Sequence, residues 1–276
     1  MYDQASQLRR LVLRNGRELA SDRRPGRMIV VVGNRANSGT TTVAFNLAAA
    51  LVQQGQRTVL VDVDERQPEL ARMAEAPVRQ TLVDVVAGHC DIHEVVLRGP
   101  AGLQIVPNAR TMEPYGRGFE LRLIQQLHSL SNHADVVVVD AGCGDGRCSN
   151  LLWREANSLV LVTSPEPIGV MDTYARLKEK FPADHPPLNL PGLFINHAAN
   201  HAAAVDVHRR IDQSSRRFLG FGLTHLGWSP PNSEIAASME AKLPLVFTEP
   251  TAPLSQACEK FAERLLGEDT EQRRAA

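Results

Sequence analysis

Residues 27–64 decide the fold, and they read RMIVVVGNRANSGTTTVAFNLAAALVQQGQRTVLVDVD. Met28–Val32 is an apolar, β-branched run with the length of a buried parallel strand. A turn rich in small residues, Gly33–Gly39, leads into a segment with helical apolar spacing, which Gly55 ends as a C-cap glycine does. Thr58–Val61 is a second β-branched run. This order predicts a βαβ unit, whose turn and helix N-terminus offer backbone N–H groups to a phosphate.

The end of this turn matches the G-K-[ST] end of the P-loop pattern G-x-x-x-x-G-K-[ST], except at the lysine. Gly39 takes the second glycine position, Thr40 stands at the lysine position, and Thr41 matches the hydroxyl that ligates Mg²⁺. The lysine of this pattern neutralises charge on the outer phosphates, which a threonine cannot do. We therefore expect a loop with the shape of a nucleotide site but without its usual cation.

Composition leaves a globular chain with no global charge bias. The 276 residues suit one α/β domain or a domain with appendages. With 30 basic and 31 acidic side chains, net charge favours neither nucleic acid nor a membrane surface as a direct partner. Four cysteines without a CxxC pair indicate reduced thiols, and no apolar run approaches the ~18 residues of a membrane span. We therefore expect a soluble, cytoplasmic protein.

The rest of the chain continues the alternation of strands and helices. Five further apolar runs predict strands at Leu103–Val106, Asp135–Asp140, Ser158–Val162, Leu193–Asn196 and Leu223–Trp228. Helical spacing predicts helices between them, such as Glu120–Ser129, and a last helix over Ser255–Leu266. These patterns predict an α/β fold with a doubly wound, mostly parallel sheet over residues 28–267. Residues 1–27 form a helical extension with a linker, and residues 268–276 a polar tail.

Polar residues stand where several of these strands end. Asp62 and Asp64 follow the second strand, Asp140 ends the run DVVVVD, and Asn196 ends LFIN. Open α/β sheets bind ligands at the carboxyl ends of their strands, so these side chains are candidates for one site. The alternative is that they are ordinary loop residues after strands, which are often acidic or amide side chains.

The loop resembles the deviant Walker A motif of the MinD/ParA family of P-loop ATPases, K-G-G-x-G-K-T-T. The family's signature lysine falls on Arg35, its two middle glycines on Ala36 and Asn37, and its P-loop lysine on Thr40. The resemblance implies a P-loop NTPase sheet that binds ATP and Mg²⁺. Side chains at positions 36 and 37 also restrict the backbone, so we expect a less adaptable phosphate cradle.

The resemblance assigns roles to individual positions. Asp64 would orient the attacking water, Arg35 would take the place of the signature lysine, and Asn196 would recognise adenine. Mg²⁺ would be held by Thr41, Asp62 and Asp140. The nucleotide-binding residues that it implies are Asn34, Arg35, Ala36, Asn37, Ser38, Gly39, Thr40, Thr41, Thr42 and Asn196.

The N-terminal leader carries a second resemblance. Residues 2–9 read YDQASQLR, which is similar to the D-Q-A-x-x-L-R element at the N-terminus of the FlhG/FleN family of MinD-like regulators. The match covers Asp3, Gln4, Ala5, Leu8 and Arg9. In that family the element stimulates the partner GTPase FlhF, so the resemblance implies a docking element. The alternative is a solvated leader with a thin apolar stripe.

Together the two motifs imply a regulator of flagellar number, placement and biosynthesis. Its partners would be an FlhF-like GTPase and a flagellar transcription activator, and ATP would close a homodimer. The tail EDTEQRRAA lacks bulky apolar residues, so we expect recruitment to the cell pole or the inner membrane face only through partners. No direct contact with nucleic acid is expected.

The missing lysine leaves two versions of the chemistry open. One lost charge-assisted contact costs about 1.5–3 kcal/mol, which predicts roughly ten- to hundredfold weaker ATP binding and a pseudo-ATPase. In the other version Arg35 or another cation compensates and slow hydrolysis persists. The alternative function is an active ParA/MinD-type ATPase that partitions or positions cellular cargo.

Overall fold

The computed structural model describes residues 25–109, 118–144, 146, 148–182, 184–231 and 233–275. Eight strands form one sheet: β1 (Arg27–Gly33), β2 (Thr58–Asp62), β3 (Leu97–Arg98), β4 (Gln104–Val106), β5 (Val136–Asp140), β6 (Ser158–Thr163), β7 (Gly192–Ile195) and β8 (Thr224–Trp228). Their spatial order is β3-β4-β2-β5-β1-β6-β7-β8, and every neighbouring pair is parallel except β3 with β4. The predicted doubly wound, mostly parallel sheet is confirmed.

Helices cover both faces of the sheet. Nine α-helices are described: α1 (Thr40–Gln53), α2 (Leu82–Ala87), α3 (Phe119–Ser131), α4 (Ser149–Glu155), α5 (Pro167–Lys180), α6 (His201–Phe218), α7 (Ser233–Glu240), α8 (Leu245–Thr248) and α9 (Pro253–Ala275). Side chains of α1 and α9 pack in one apolar layer, and those of α3, α5 and α6 in the other. The apolar run of β1 serves both layers, because Ile29 and Val31 face one and Val30 and Val32 the other.

Two features differ from the sequence prediction. The edge strand β3 was not predicted, because two residues are too few to show a period, and it pairs antiparallel with β4. Helix α9 runs to Ala275 rather than ending at Leu266, so Gly267 lies inside it. A glycine inside a helix costs only about 1 kcal/mol, and the charged residues that follow include good helix formers.

The topology brings the predicted site residues together at the carboxyl ends of the central strands. β1 lies between β5 and β6, and β2 lies beside β5. The carboxyl ends of these parallel strands therefore meet at the N-terminus of α1, where the order of connections reverses. No helix in the described part of the chain is long and apolar enough to cross a membrane.

Candidate functional site

The loop between β1 and α1 is held in a left-handed turn. Asn37 has φ 60° and Gly39 has φ 86°. Asparagine adopts this conformation more readily than most residues, so Asn37 can take the left-handed turn that the loop has here. Gly39 has a stricter requirement, because a Cβ there would lie 2.1 Å from Nδ2 of Asn196.

Thr40 supplies no charge at the position of the P-loop lysine. Its side chain is buried, and its hydroxyl lies 2.9 Å from the hydroxyl of Ser38, with which it shares a hydrogen bond. Both hydroxyls pack against Gly33, where a Cβ would lie 2.1 Å from Ser38 Oγ and 2.3 Å from Thr40 Oγ1. Thr40 therefore contributes to the packing of the loop rather than to the neutralisation of phosphate charge.

Two carboxylates lie side by side beneath the loop. Asp62 and Asp140 are register partners on β2 and β5, and both are buried. Burial raises the pKa of Asp140 to about 7, although hydrogen bonds from the Thr41 hydroxyl and the Gly142 amide oppose the shift. Burial, and then the charge of Asp140, raise the pKa of Asp62 well above its usual value. The pair therefore favours a bound proton or a cation.

The Thr41 hydroxyl and the Asp140 carboxylate are oxygen donors of the kind that Mg²⁺ prefers. They are within hydrogen-bonding distance of each other, at the N-terminus of α1. Mg²⁺ is commonly held by one or two carboxylates together with substrate phosphates. The residues present fit this ion. The described residues contain no group of three or more histidine, cysteine or acidic side chains that could hold a metal by itself.

Asp62 uses its carboxylate to fix the next loop. Its Oδ1 accepts a hydrogen bond from the Asp64 amide at 3.0 Å, and its Oδ2 accepts from the amides of Glu69 and Leu70, each at 3.1 Å. Its side chain lies behind the cavity described below and does not line it. The structure thus places Asp62 beside the Mg²⁺ donors, with backbone amides bonded to both of its oxygens.

Asp64 lies at the front of the site. Its Oδ1 accepts hydrogen bonds from the amides of Arg66 and Gln67, at 2.8 and 3.0 Å. Its Oδ2 faces the backbone of Gly142, where a Cβ would lie 2.2 Å away. The side chain is therefore fixed between its own loop and the Gly142 turn.

Asn34 and Asn196 hold the loop from its two flanks. Nδ2 of Asn34 donates to the carbonyl of Gly169 at 2.7 Å, so this side chain points away from the cavity. Nδ2 of Asn196 donates to the Ser38 carbonyl at 2.9 Å, and its Oδ1 accepts from the His197 amide at 3.0 Å. Asn196 borders the cavity, while its amide also tethers the loop.

Arg35 lies at the mouth of the site. Its Nη1 is 3.3 Å from Oε2 of Glu166, and the two side chains are 42% and 68% exposed. Ion pairs this exposed contribute little to stability, at a median of about 0–1 kcal/mol. Arg35 is therefore only weakly held, and its guanidinium can move to another anion.

One cavity of about 400 Å³ unites most of the predicted residues. Positions 35–42 line it together with Asp64 and Asn196, whereas Asn34, Asp62 and Asp140 do not. The cavity also includes Gly142, in the turn after β5, and residues that the sequence analysis did not select: Gln67, Glu69, Cys143, His197, Pro230, Pro231, Ile235 and Met239.

The charges around this cavity are unbalanced. Among the described residues that line it, one side chain is an arginine or lysine, namely Arg35, and two are acidic, Asp64 and Glu69. The carboxylates of Asp62 and Asp140 lie behind these. The backbone at the N-terminus of α1 suits an anion, whereas the described side chains around the cavity carry more negative than positive charge.

Comparison with known families gives this geometry a context. A family model described as "AAA domain" matches residues 26–173, which is more than half of the chain. The chain belongs to this AAA domain family. The matched region holds the loop, both buried carboxylates and Asp64, so the family assignment covers the core of the site.

Individual relatives of this AAA domain protein include flagellar regulators. The antiactivator FleN of Pseudomonas aeruginosa is 28% identical over 87% of this chain and 86% of its own length. The flagellum site-determining protein YlxH of Helicobacter pylori is 24% identical over 64% of this chain and 62% of its own. These matches confirm the resemblance to the FlhG/FleN type.

A solved relative agrees in fold. The septum site-determining protein MinD of Pyrococcus horikoshii, solved with Mg-ADP, superposes with a TM-score of 0.67 at 22% identity, over 87% of this chain and 96% of its own. At this identity the match establishes the MinD/ParA-type architecture alone. The predicted docking residues of the leader, Asp3, Gln4, Ala5, Leu8 and Arg9, lie outside the described residues.

Proposed function

We propose that this protein is a MinD-like regulator of flagellar number and placement, in which ATP binding is weak or lost. The similarity to FleN and YlxH along most of the chain favours the regulatory role. The loop favours the second part of the proposal, since the chain keeps a phosphate cradle but not its lysine.

One observation carries the nucleotide part. The Thr40 hydroxyl is bonded to Ser38 inside the loop, so a short neutral group stands where a lysine would reach the outer phosphates. A triphosphate here would meet Asp64 and Glu69 without that cation. The loss of one charge-assisted contact corresponds to about 1.5–3 kcal/mol, or roughly ten- to hundredfold in Kd.

The remaining parts of the cradle have definite tasks when a nucleotide is bound. The amides at the N-terminus of α1 would bind the phosphates, and Thr41 and Asp140 would hold Mg²⁺. Bound Mg²⁺ would supply positive charge at the phosphates. Asp64 would orient water at the mouth of the cavity. These tasks are compatible with weak binding and slow hydrolysis.

Regulation would then pass through protein contacts. We assign the leader, residues 1–27, to an FlhF-like GTPase and the domain, residues 28–267, to a flagellar transcription activator. An ATP-dependent homodimer belongs to the version of the proposal in which some nucleotide binding remains. Partners would recruit the chain to the cell pole or the inner membrane face.

A second candidate is an active ParA/MinD-type ATPase that positions cellular cargo. Arg35 favours it, because this cation stands at the mouth of the cavity and is held only by an exposed ion pair. An arginine so weakly restrained can turn towards a phosphate in its own chain or in a second copy. This candidate requires micromolar nucleotide binding by the native chain.

The deciding experiment is a calorimetric titration of Mg-ATP and Mg-ADP into the native chain, Thr40→Lys and Thr40→Ser. The proposal expects little or no heat from the native chain and from the serine control, and clear binding by Thr40→Lys. Micromolar binding by the native chain would support the active ATPase instead. If the lysine variant is folded but binds nothing, the cavity is not a nucleotide site.

A further inference from the structure

A second surface lies at the outer edge of the sheet, at β8, which is three strands away from β1 and its loop. β8 is the last strand, and no strand in the described ranges pairs with its outer side. The amides of Thr224 and Ser229 donate inward, to the carbonyls of Pro191 and Ile195, at 2.9 and 3.0 Å. The amide and carbonyl of Leu223, directly before the strand, are bonded to Asp212 and His208, so what the edge offers to an added strand is the backbone of β8 itself, which half-buried side chains line.

A groove lies between β8 and α9. Its main part is a cavity of about 440 Å³, which residues 225–228 of β8 line on one side. At Phe261 and Arg264 it adjoins a second cavity of about 350 Å³, which lies at the amino ends of β1, β6, β7 and β8. Five strand residues span roughly 16 Å, and the twelve helix residues from Pro253 to Arg264 span roughly 18 Å. The groove therefore has the length of a short extended peptide.

Helix α9 presents two rows of side chains to this groove. Pro253, Ala257 and Phe261 are four residues apart, and the last two are buried, so they form an apolar floor. A second row with the same spacing, Gln256, Lys260 and Arg264, is exposed along the rim. The groove thus combines an apolar base with a line of donors and positive charge.

The charge of the groove has one sign. Lys260 and Arg264 line the cavity beside β8, Arg27 of β1 lines the second cavity, and the described residues that line the two cavities include no aspartate or glutamate. Lys260 forms no salt bridge with any described residue. Because the whole chain carries a formal charge of −1, this one-sided lining is a local property.

We propose that this groove binds an extended acidic segment of a partner protein, which adds to β8 as a further strand. The segment's backbone pairs with the outer edge of β8. Alternate side chains of a strand share one face, so carboxylates at alternate positions meet Lys260 and Arg264 together. A nucleic acid fits less well, because two cations beside a strand edge do not form a continuous track for phosphates.

The test uses fluorescence anisotropy with a labelled alternating Asp-Val peptide of about eight residues, a length that covers the groove. The comparison ligands are an alternating Lys-Val peptide, an Asp-Val peptide with N-methylated amides, and a short DNA duplex. The proteins are the native chain, Lys260→Glu, and Arg98→Glu as a control. Arg98 is an exposed cation on β3, the opposite edge of the same sheet. Thermal unfolding checks that each variant is folded.

The expected result is binding of the Asp-Val peptide that Lys260→Glu weakens at least about tenfold and Arg98→Glu leaves unchanged. N-methylation should abolish the binding, because it removes the donors that pair with β8. Any of four results overturns the proposal: no binding of the Asp-Val peptide, equal binding of the Lys-Val or N-methylated peptide, tighter binding of DNA, or no effect of Lys260→Glu. No nucleotide is present, so the outcome is independent of the proposal for the phosphate loop.

Discussion

Asp62 and Asp140 occupy opposite positions on the neighbouring strands β2 and β5, and both are removed from solvent. No lysine from position 40 approaches them from the loop, because that position holds a threonine bonded to Ser38. The folded chain therefore buries two adjacent carboxyl groups, and the free energy that this costs depends on whether the groups carry protons.

Stability should fall as pH rises towards neutrality. The pKa of Asp140 is raised from 3.8 to about 7, so the folded state holds a proton that the unfolded state releases. The contribution is fully present below pH ~4 and is lost as pH rises through ~7, with a size on the order of 4 kcal/mol. Urea unfolding of the native chain across this range should show the decline.

Asp140→Asn is the matched variant for this effect. It keeps an acceptor for the Gly142 amide but removes the titrating group, so it should flatten the profile and stabilise the chain above pH 7. Glu263→Gln, at an exposed side chain of α9, should leave the profile as it is. An unchanged slope in Asp140→Asn would contradict the assignment.

Gly39 and Asn196 should behave as a coupled pair. Gly39→Ala places a Cβ against Asn196 Nδ2 and forces alanine to φ 86°, which should cost about 2–4 kcal/mol of unfolding free energy. In an Asn196→Ala background the clash is gone, and only about 1–2 kcal/mol for the backbone should remain. A double-mutant cycle measured by chemical denaturation checks this, and strict additivity would show that the two residues do not touch.

The leader should act on a partner without affecting the fold. Leu8→Ala or Arg9→Ala should abolish stimulation of an FlhF-like GTPase, because each removes a residue shared with the D-Q-A-x-x-L-R element. The unfolding transition should not change. Ser6→Ala, at a variable position of the same element, is the control. Full stimulation by both Leu8→Ala and Arg9→Ala would disprove the docking function of the leader.

Arg35 should be nearly neutral for stability. Its ion pair with Glu166 is exposed at both ends, so Arg35→Ala should change the free energy of unfolding by less than about 0.5 kcal/mol. Glu166→Gln should give a similarly small change. A loss of about 2 kcal/mol or more would be as large as the contribution of a strong hydrogen bond to a charged group. It would mean that Arg35 is fixed in the fold and is not free to move to another anion.

The sequence predicted what periodicity and short motifs can specify. The seven strands other than β3 were predicted from their apolar runs, and the loop at positions 35–42, Asp64 and Asn196, predicted as candidates for one site, border one cavity. Periodicity failed at β3, because two residues show no repeat. It also failed at Gly267, because the good helix formers on both sides of this glycine outweigh its cost.

Side-chain direction was the part that sequence could not supply. Asn34 is next to the loop in the chain, yet its amide turns to Gly169, because β1 delivers it to the far side of the loop. Glu69 reaches the cavity from a segment without a motif. Ile235 and Met239 also reach it, and their spacing of one helical turn after Pro230-Pro231 was a detectable signal. Contacts between distant segments decide such positions, and a single sequence does not encode them locally.

The tethers on the loop have a consequence for how such a protein is controlled. Asn34 binds it to α5 through Gly169, and Asn196 binds it to the end of β7 through Ser38, so its shape does not depend on a phosphate. A loop that keeps one shape with or without a nucleotide gives the rest of the protein no conformational change by which to distinguish the two states. Cells that use this chain would then set its effect by how many copies they make and how quickly they remove them.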